Sequence, residues 1–448
     1  MATTQYELGI TKRELGVGAE VSGGAALGAP SDGAATQAAR TWSVRGWVAL
    51  AWWVACLSVF KGARLPNLWS ATQFSLNYDL GFTRRGLFGS VTQLLLGDSA
   101  YRYWTFALIS GAMFIACAAL LAQLVRVAAE RAPLDFEVRV ATLVFLASPS
   151  LVVVVHLVGY LDYVGILFVL ALAALSLREV STSSLAGASA IGGTALALVH
   201  EALPIMFLPP LLFVIWCAEL RRSPTIERKT ARRRLGRVLA AFALPFGVAL
   251  WMSTSASATS EHALELHQQL SERVDFELRF DVFEAIARSS DQNLLELMPA
   301  FWANADHRSG AIRSLLVSGP CLAFWLVYGL RAIARRRLPG RAVLTLAIGA
   351  SVLAPLALNL VGYDTDRWFA IATFNAVICG LVFRSSFPRT SMPSSRRLAW
   401  FGAATVCVGL TSSPQLFDGH RVHLFPFSSQ WATLGNWLAQ GSMPRPER

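Results

Sequence analysis

The sequence predicts an all-α, polytopic transmembrane bundle of about eleven spans, with a cytoplasmic N-terminus and an extracytoplasmic C-terminus. Three observations predict it. Hydrophobic residues make up 54% of the 448 and charged residues only 15%, against roughly 45–50% and about 25% in an ordinary soluble globule. Mean hydropathy is +0.48, and the apolar residues gather in runs near the length of about 20 that a spanning helix needs. The net charge of +11 divides unevenly between the two sides those runs define. This composition excludes a disordered chain, a coiled coil and a typical cytosolic enzyme.

Residues 1–45 carry no apolar core of the kind a signal peptide needs, so a disordered cytoplasmic tail is expected there. The first span, 46–62, reads GWVALAWWVACLSVFKG. A polar first outer loop, 63–103, follows it. Further apolar runs lie at 104–125, 140–157, 162–177, 185–199, 202–218, 238–254, 312–330, 342–360, 368–384 and 397–412. Several are short, which predicts tilted or broken helices. Pro149, Pro204, Pro209, Pro210 and Pro355 supply kinks.

Basic loops set the orientation. The segment 219–237 holds Arg221, Arg222, Arg228, Lys229, Arg232, Arg233, Arg234 and Arg237. Arg331, Arg335, Arg336, Arg337 and Arg341 follow the eighth span, and Arg384, Arg389, Arg396 and Arg397 follow the tenth. With eleven spans, all of these share a side with the N-terminal tail. That side has 25 Lys and Arg against 10 Asp and Glu, and the other has 14 against 18. The positive-inside rule makes the first side cytoplasmic. The excess charge is then a topology signal and a contact for anionic lipid, and no nucleic-acid partner is expected.

Two outer segments are long. The loop 255–310 has ten acidic and four basic residues. Its stretch ELHQQLSERVDFELRFDVFEAIARS alternates at helical spacing, predicting one or two amphipathic helices over the outer mouth of the bundle. In the extracytoplasmic segment 413–448, Phe417, Phe425, Phe427, Trp431 and Trp437 suit the membrane interface. The six cysteines, Cys56, Cys117, Cys217, Cys321, Cys379 and Cys407, lie within apolar runs and form no CxxC. They read as small packing residues, not as disulfides or a zinc site.

Ionisable residues at membrane depth are costly and mark function by default. Here they collect at four outer connections. The first loop contains NYDLGFTRRGLFG, with Asp79, Arg84, Arg85 and three glycines. Together with Lys61, Arg64 and Arg102 it has five cations and only two acids. Such a patch suits phosphate, because arginine offers a planar fork and glycines let backbone N–H groups approach an anion. An interfacial lipid anchor is the plainer reading. The second connection, HLVGYLDY, holds His156 and Asp162. Asp162 needs a partner or is a helix N-cap, and His156 alone is a packing residue. The third is the His200-Glu201 turn, which could help hold a divalent cation only if Asp162 or His156 joined it. The fourth, GYDTDRW, holds Asp364, Asp366 and Arg367. Either the two acids clamp Arg367, or Arg367 projects toward a phosphate while they position it. The four connections together predict one polar cavity on the outer side.

An acid in the first outer loop of a many-helix membrane protein resembles the GT-C superfamily of integral-membrane glycosyltransferases. The shared features are the span count, the cytoplasmic N-terminus, Asp79 after the first span and Asp162 in the next outer loop. The resemblance covers residues 46–412, without a large soluble C-terminal domain or paired acids beside Asp79. It implies a polyprenyl-phosphate-sugar donor and an envelope glycan, lipid or protein acceptor, in the bilayer of a bacterial inner membrane. Asp79 would be the general base. Arg84, Arg85 and Arg367 would meet the donor phosphate, and Asp162, His156, His200, Glu201, Asp364 and Asp366 would line the sugar site or hold a divalent ion. Two other readings share these features: an O-antigen polymerase or ligase working through arginines, and a membrane transporter.

Overall fold

A computed structural model describes residues 32–131, 136–178, 180–223, 227–254, 258–288, 303–360, 364–388 and 396–412, with isolated positions at 225, 292, 295–296, 299 and 362. The expected tail 1–31, part of the 255–310 loop and the segment 413–448 with its aromatic residues lie outside the described residues. The chain divides into two units, Met1–Ala49 and Leu50–Arg448. Of the first unit, residues 32–49 are helical, so helix begins well before the expected end of the tail.

Among the described residues every regular element is a helix. In chain order they are α1 (Asp32–Gly62), α2 (Leu68–Ser75), α3 (Gly86–Leu96), α4 (Tyr103–Glu130), α5 (Phe136–Leu146), α6 (Pro149–His156), α7 (Asp162–Ser176), α8 (Thr182–Val199) and α9 (Ala202–Arg222). The series continues with α10 (Arg228–Thr254), α11 (Ser260–Ser271), α12 (Phe280–Ala287), α13 (Ala305–Ala334), α14 (Arg341–Ala357), α15 (Thr365–Ser386) and α16 (Arg396–Thr411). Seven of these are long and apolar enough to cross a membrane. The pair α5 and α6 passes the same test only together, as a broken span or a re-entrant loop bent by 49° at the break before Pro149. A proline starts α6 because its missing N–H costs nothing at a helix start. The remaining apolar segments, Gly46–Gly62, Asp162–Ser176 and Arg397–Thr411, are helices of 10–17 residues.

The sequence explains which helices are central. In α15, 94% of the spanning window is buried, and the helix touches α4, α6, α9, α13 and α14. Asn375 on α15 donates to the carbonyls of Met206 (2.9 Å) and Ser351 (3.0 Å), and Ser150 donates to Thr373 at 3.1 Å. Polar side chains inside the bundle thus meet partners on neighbouring helices. By contrast, α4 and α10 are peripheral and expose Leu108, Ile115, Leu244, Leu250 and Trp251. Apolar surface of that extent on long helices belongs in lipid.

The two ends of the bundle differ. At one end arginines bind helix C-terminal carbonyls, where the partial negative charge favours them. Arg221 donates to the carbonyls of Ser176 (2.8 Å), Leu177 (3.0 Å) and Arg178 (2.8 Å). Arg131 donates to Ser385 (2.5 Å), and Arg336 to Phe387 (3.0 Å) and Pro388 (2.6 Å). The other end carries the four connections singled out above, together with three short helices.

Those short helices are amphipathic. On α3 Val91, Leu94, Leu95 and Leu96 are exposed, while Gly86 and Gly89 face the chain segment 74–78. A Cβ on Gly89 would lie 2.0 Å from the Leu76 carbonyl oxygen, and one on Gly86 would lie 2.4 Å from the Tyr78 ring. These glycines are close-packing sites. Helices α11 and α12 bury Leu266, Leu270, Val282, Phe283 and Ile286 against Leu76 and Tyr101. They are the expected amphipathic helices of the long loop, and they cover the first outer loop.

Candidate functional site

Two of the connections meet in one buried charge cluster. Arg367, in the first turn of α15, spreads its guanidinium between two acids. Its Nη2 donates to Asp162 Oδ1 at 3.0 Å and stands 2.8 Å from Oδ2, while Nη1 donates to Asp364 Oδ2 at 2.8 Å. The faces of the guanidinium lie over Tyr160 and Trp368, at 5.4 and 4.6 Å from the ring centroids. Asp162 is fully buried. The expected clamp on Arg367 therefore forms, with Asp162 taking the place of Asp366. Asp366 turns away to accept from Ser314 of α13 at 2.7 Å.

Arg85 answers Glu201. Its Nε and Nη2 reach Glu201 Oε2 (3.2 Å) and Oε1 (2.6 Å), a two-point fork. Arg85 has φ 66° and is the one non-glycine residue with positive φ among the described residues. It stands at the N-cap of α3, where the chain turns sharply into the helix. Burial would raise the Glu201 carboxyl, but Arg85, assisted by His200 and Arg84, holds it well below the usual carboxylate range. Burial, and then Arg85, push the neighbouring His200 down to about 3. The His200 ring is thus neutral, with Nδ1 accepting from the Ala202 N–H at 3.2 Å. Burial also raises the Asp364 carboxyl, and Arg367 pulls back against it. His156 is buried, and its carbonyl accepts from Arg64 Nε at 2.8 Å.

Arg84 has a different partner. It is 2% exposed, and its guanidinium donates to the carbonyls of Ala285 (3.2 Å), Ile286 (2.9 Å) and Arg288. These are the orphan carbonyls at the end of α12. Arg84 is therefore a cross-chain cap, and its donors are taken by backbone. Burial pulls its ionisation down, with Glu201 opposing.

Asp79 stands in a second, more open node. Its Oδ2 accepts from Arg273 Nη1 (2.6 Å), Asn77 Nδ2 (3.2 Å) and Gln93 Nε2 (3.2 Å). Arg273 and Asn77 both also reach the Tyr101 hydroxyl, at 3.3 and 2.8 Å. No donor among the described residues contacts Oδ1. The Asp79 side chain keeps 28% of its accessible surface. One carboxylate oxygen is anchored by a cation and two amides, and the other is open.

Sequence reasoning therefore placed Asp162, Asp364, Arg367, Arg85, His200 and Glu201 together at one end of the bundle, where the structure finds them. It missed Arg273, Asn77 and Gln93 as partners of Asp79, and Tyr101 as the group that Arg273 and Asn77 share. The available signal was Arg273 itself, one of two cations, with Arg279, in the mostly acidic, amphipathic stretch 261–286. Among the described residues no three or more His, Cys, Asp or Glu side chains converge to hold a metal ion. Each acid of the buried network faces an arginine instead. Comparison with protein-family models finds none that matches this chain, and comparisons with curated proteins and with solved structures find no match either.

Proposed function

We propose that this multi-pass membrane protein is a glycosyltransferase of the GT-C kind. It moves a sugar from a polyprenyl-phosphate donor to an envelope glycan, lipid or protein at the outer face of a bacterial inner membrane. In this reading all eleven apolar segments cross or traverse the bilayer, with the N-terminus cytoplasmic. The observation that carries it is the Asp79 carboxylate, held through Oδ2 while Oδ1 is open. A general base needs a fixed carboxylate with one oxygen free to take the acceptor's proton.

The step balances as follows. The acceptor hydroxyl gives its proton to Asp79 Oδ1 and attacks the anomeric carbon. The bond from that carbon to the phosphate oxygen breaks, and the phosphate leaves with the electron pair. Arg85 is the cation best suited to the leaving phosphate. It sits at the start of α3, where first-turn N–H groups also favour an anion. The exposed leucines of α3 set that helix at the edge of the lipid from which a polyprenyl chain would arrive. Arg85 forks onto Glu201 through Nε and Nη2 and keeps Nη1 for the phosphate, whereas the donors of Arg84 and Arg367 face carbonyls and two carboxylates, so those two serve as scaffold.

The test uses membranes holding the full-length protein and a panel of undecaprenyl-phosphate-linked sugars. Asp79→Asn is expected to lower transfer by roughly 10²–10⁴-fold, the usual worth of a positioned base. Its stability should change by less than about 1 kcal/mol, because exposed ion pairs contribute little. Transfer that survives Asp79→Asn but not Arg85→Ala would point to the arginine-based polymerase or ligase chemistry instead. Substrate flux into proteoliposomes without a covalent product would point to transport.

A further inference from the structure

The arginine-rich end of the bundle holds a cavity that the proposed transfer chemistry does not use. It lies where the start of α8 meets the end of α9 and the start of α10, and its volume is about 370 Å³. Ligand pockets fall in the range of roughly 300–1,000 Å³. Thr182, Ser183, Glu219, Arg222, Arg234 and Arg237 are among its lining residues.

The charges in this cavity are not equivalent. Glu219 is buried, accepts from Thr182 Oγ1 at 2.8 Å and forms an ion pair with Arg234. Those two cancel. Arg222 and Arg237 are exposed, and neither has an acidic partner among the described residues. The cavity thus carries two uncompensated guanidinium groups. The start of α8 adds to them. Its N-cap Ser181 side chain accepts from the Ser184 N–H, which leaves the first-turn N–H groups at Thr182 and Ser183 without an intrahelical acceptor. Two arginine forks, the Ser183 hydroxyl and a helix start share one taste in ligands. All bind phosphate oxygens.

We infer that the α8–α9–α10 cavity is a binding site for a phosphate group, held by Arg222 and Arg237 against the N-terminus of α8. Two sources of phosphate fit this chemistry: a phospholipid headgroup and a free phosphorylated solute. The walls favour the lipid. Ile191 on α8 and Leu239 on α10 are exposed apolar residues on two of the helices that wall the cavity. The site lies at the opposite end of the bundle from Asp79 and stands whether or not glycosyl transfer does.

Full-length protein in phosphatidylcholine nanodiscs provides the test. Phosphatidylglycerol is added in one arm and inorganic pyrophosphate in the other, with binding read by native mass spectrometry and calorimetry. The R222Q/R237Q double variant is compared with R232Q/R233Q, which removes the same charge from exposed positions nearby. Melting curves confirm that both variants fold. Wild type is expected to retain phosphatidylglycerol, R222Q/R237Q to bind it roughly tenfold or more weakly, and R232Q/R233Q to behave as wild type. Pyrophosphate binding with the same dependence, and without lipid retention, supports the site and assigns it to a soluble phosphate. Equal losses in the two double variants would reduce the effect to general surface charge and overturn the proposal. So would failure of the wild type to bind either probe.

Discussion

Arg367→Met removes the centre of the buried network while keeping much of the side-chain volume. Three interactions go at once: Nη2 with the Asp162 carboxylate, Nη1 with Asp364, and the ring faces of Tyr160 and Trp368. The two acids then diverge. Burial already raises the Asp364 carboxyl with Arg367 in place, so without the arginine it takes up a proton at little cost. Asp162 is fully buried and has Arg367 as its cation, so most of the penalty falls there. Breaking a buried pair by removing one partner costs about 3–5 kcal/mol, and that is the expected loss for Arg367→Met. Asp162→Asn in the same background removes the stranded charge. The double variant should therefore be more stable than the sum of the singles predicts, with a coupling of about 2 kcal/mol. Unfolding of micelle-embedded protein by SDS titration, followed by far-UV circular dichroism, measures all four corners of the cycle. A loss below about 1 kcal/mol for Arg367→Met, or strict additivity, refutes the reading of this network as a tightly coupled buried triad.

Other outcomes follow from the same geometry. Arg84→Met frees the carbonyls that end α12, so amide exchange and proteolysis across 280–288 should quicken while the spanning helices stay protected. Gly89→Ala forces a Cβ to within 2.0 Å of the Leu76 carbonyl oxygen and should destabilise the protein by about 1–3 kcal/mol, the usual cost of overpacking, visible as a lowered melting temperature. The histidine predicts a pH slope. Its ionisation falls to about 3 in the fold, from an ordinary 6.5, so the unfolded chain binds the proton first. Stability present above pH 6.5 is then lost as pH falls, by about 2 kcal/mol between 6.5 and 5. The Glu201 contribution persists through that window, because its depressed carboxyl loses stability only as pH drops below the ordinary carboxylate range. His200→Gln should flatten the slope between 6.5 and 5 in a denaturation series.

Much of this was legible in the sequence because a membrane chain must declare itself in apolar runs. Each of the eleven runs is helical, and 140–157 is a pair of helices bent at the break before Pro149, where the proline suggested a kink. The meeting of Asp162 with Arg367 was also legible. Short turns between apolar runs leave ionisable side chains little freedom except to find each other. The pairings themselves were not. Asp366 and Asp364 are two residues apart, and helical phase alone sends one to Ser314 and the other to Arg367. Arg84 and Arg85 are adjacent, yet the positive φ at Arg85 sends their guanidinium groups to a helix end and to Glu201. The Asp79–Arg273 contact joins positions 194 apart in the chain. It depends on how α11 and α12 fold back, which no local pattern encodes.

The central place of α15 has a consequence for biogenesis. This helix is second to last in the described chain, so the ribosome delivers it after nearly all the helices it touches. Until then α6 lacks its main neighbour and α9 one of its own, Asn375 has yet to reach the Met206 carbonyl, and Asp162 has no Arg367. The nascent bundle must wait as an open groove with an unpaired carboxylate inside it. Insertion of one late helix then supplies the cation, the cross-helix hydrogen bonds and the apolar filling together. Closure around α15 thus waits on the synthesis of this one helix.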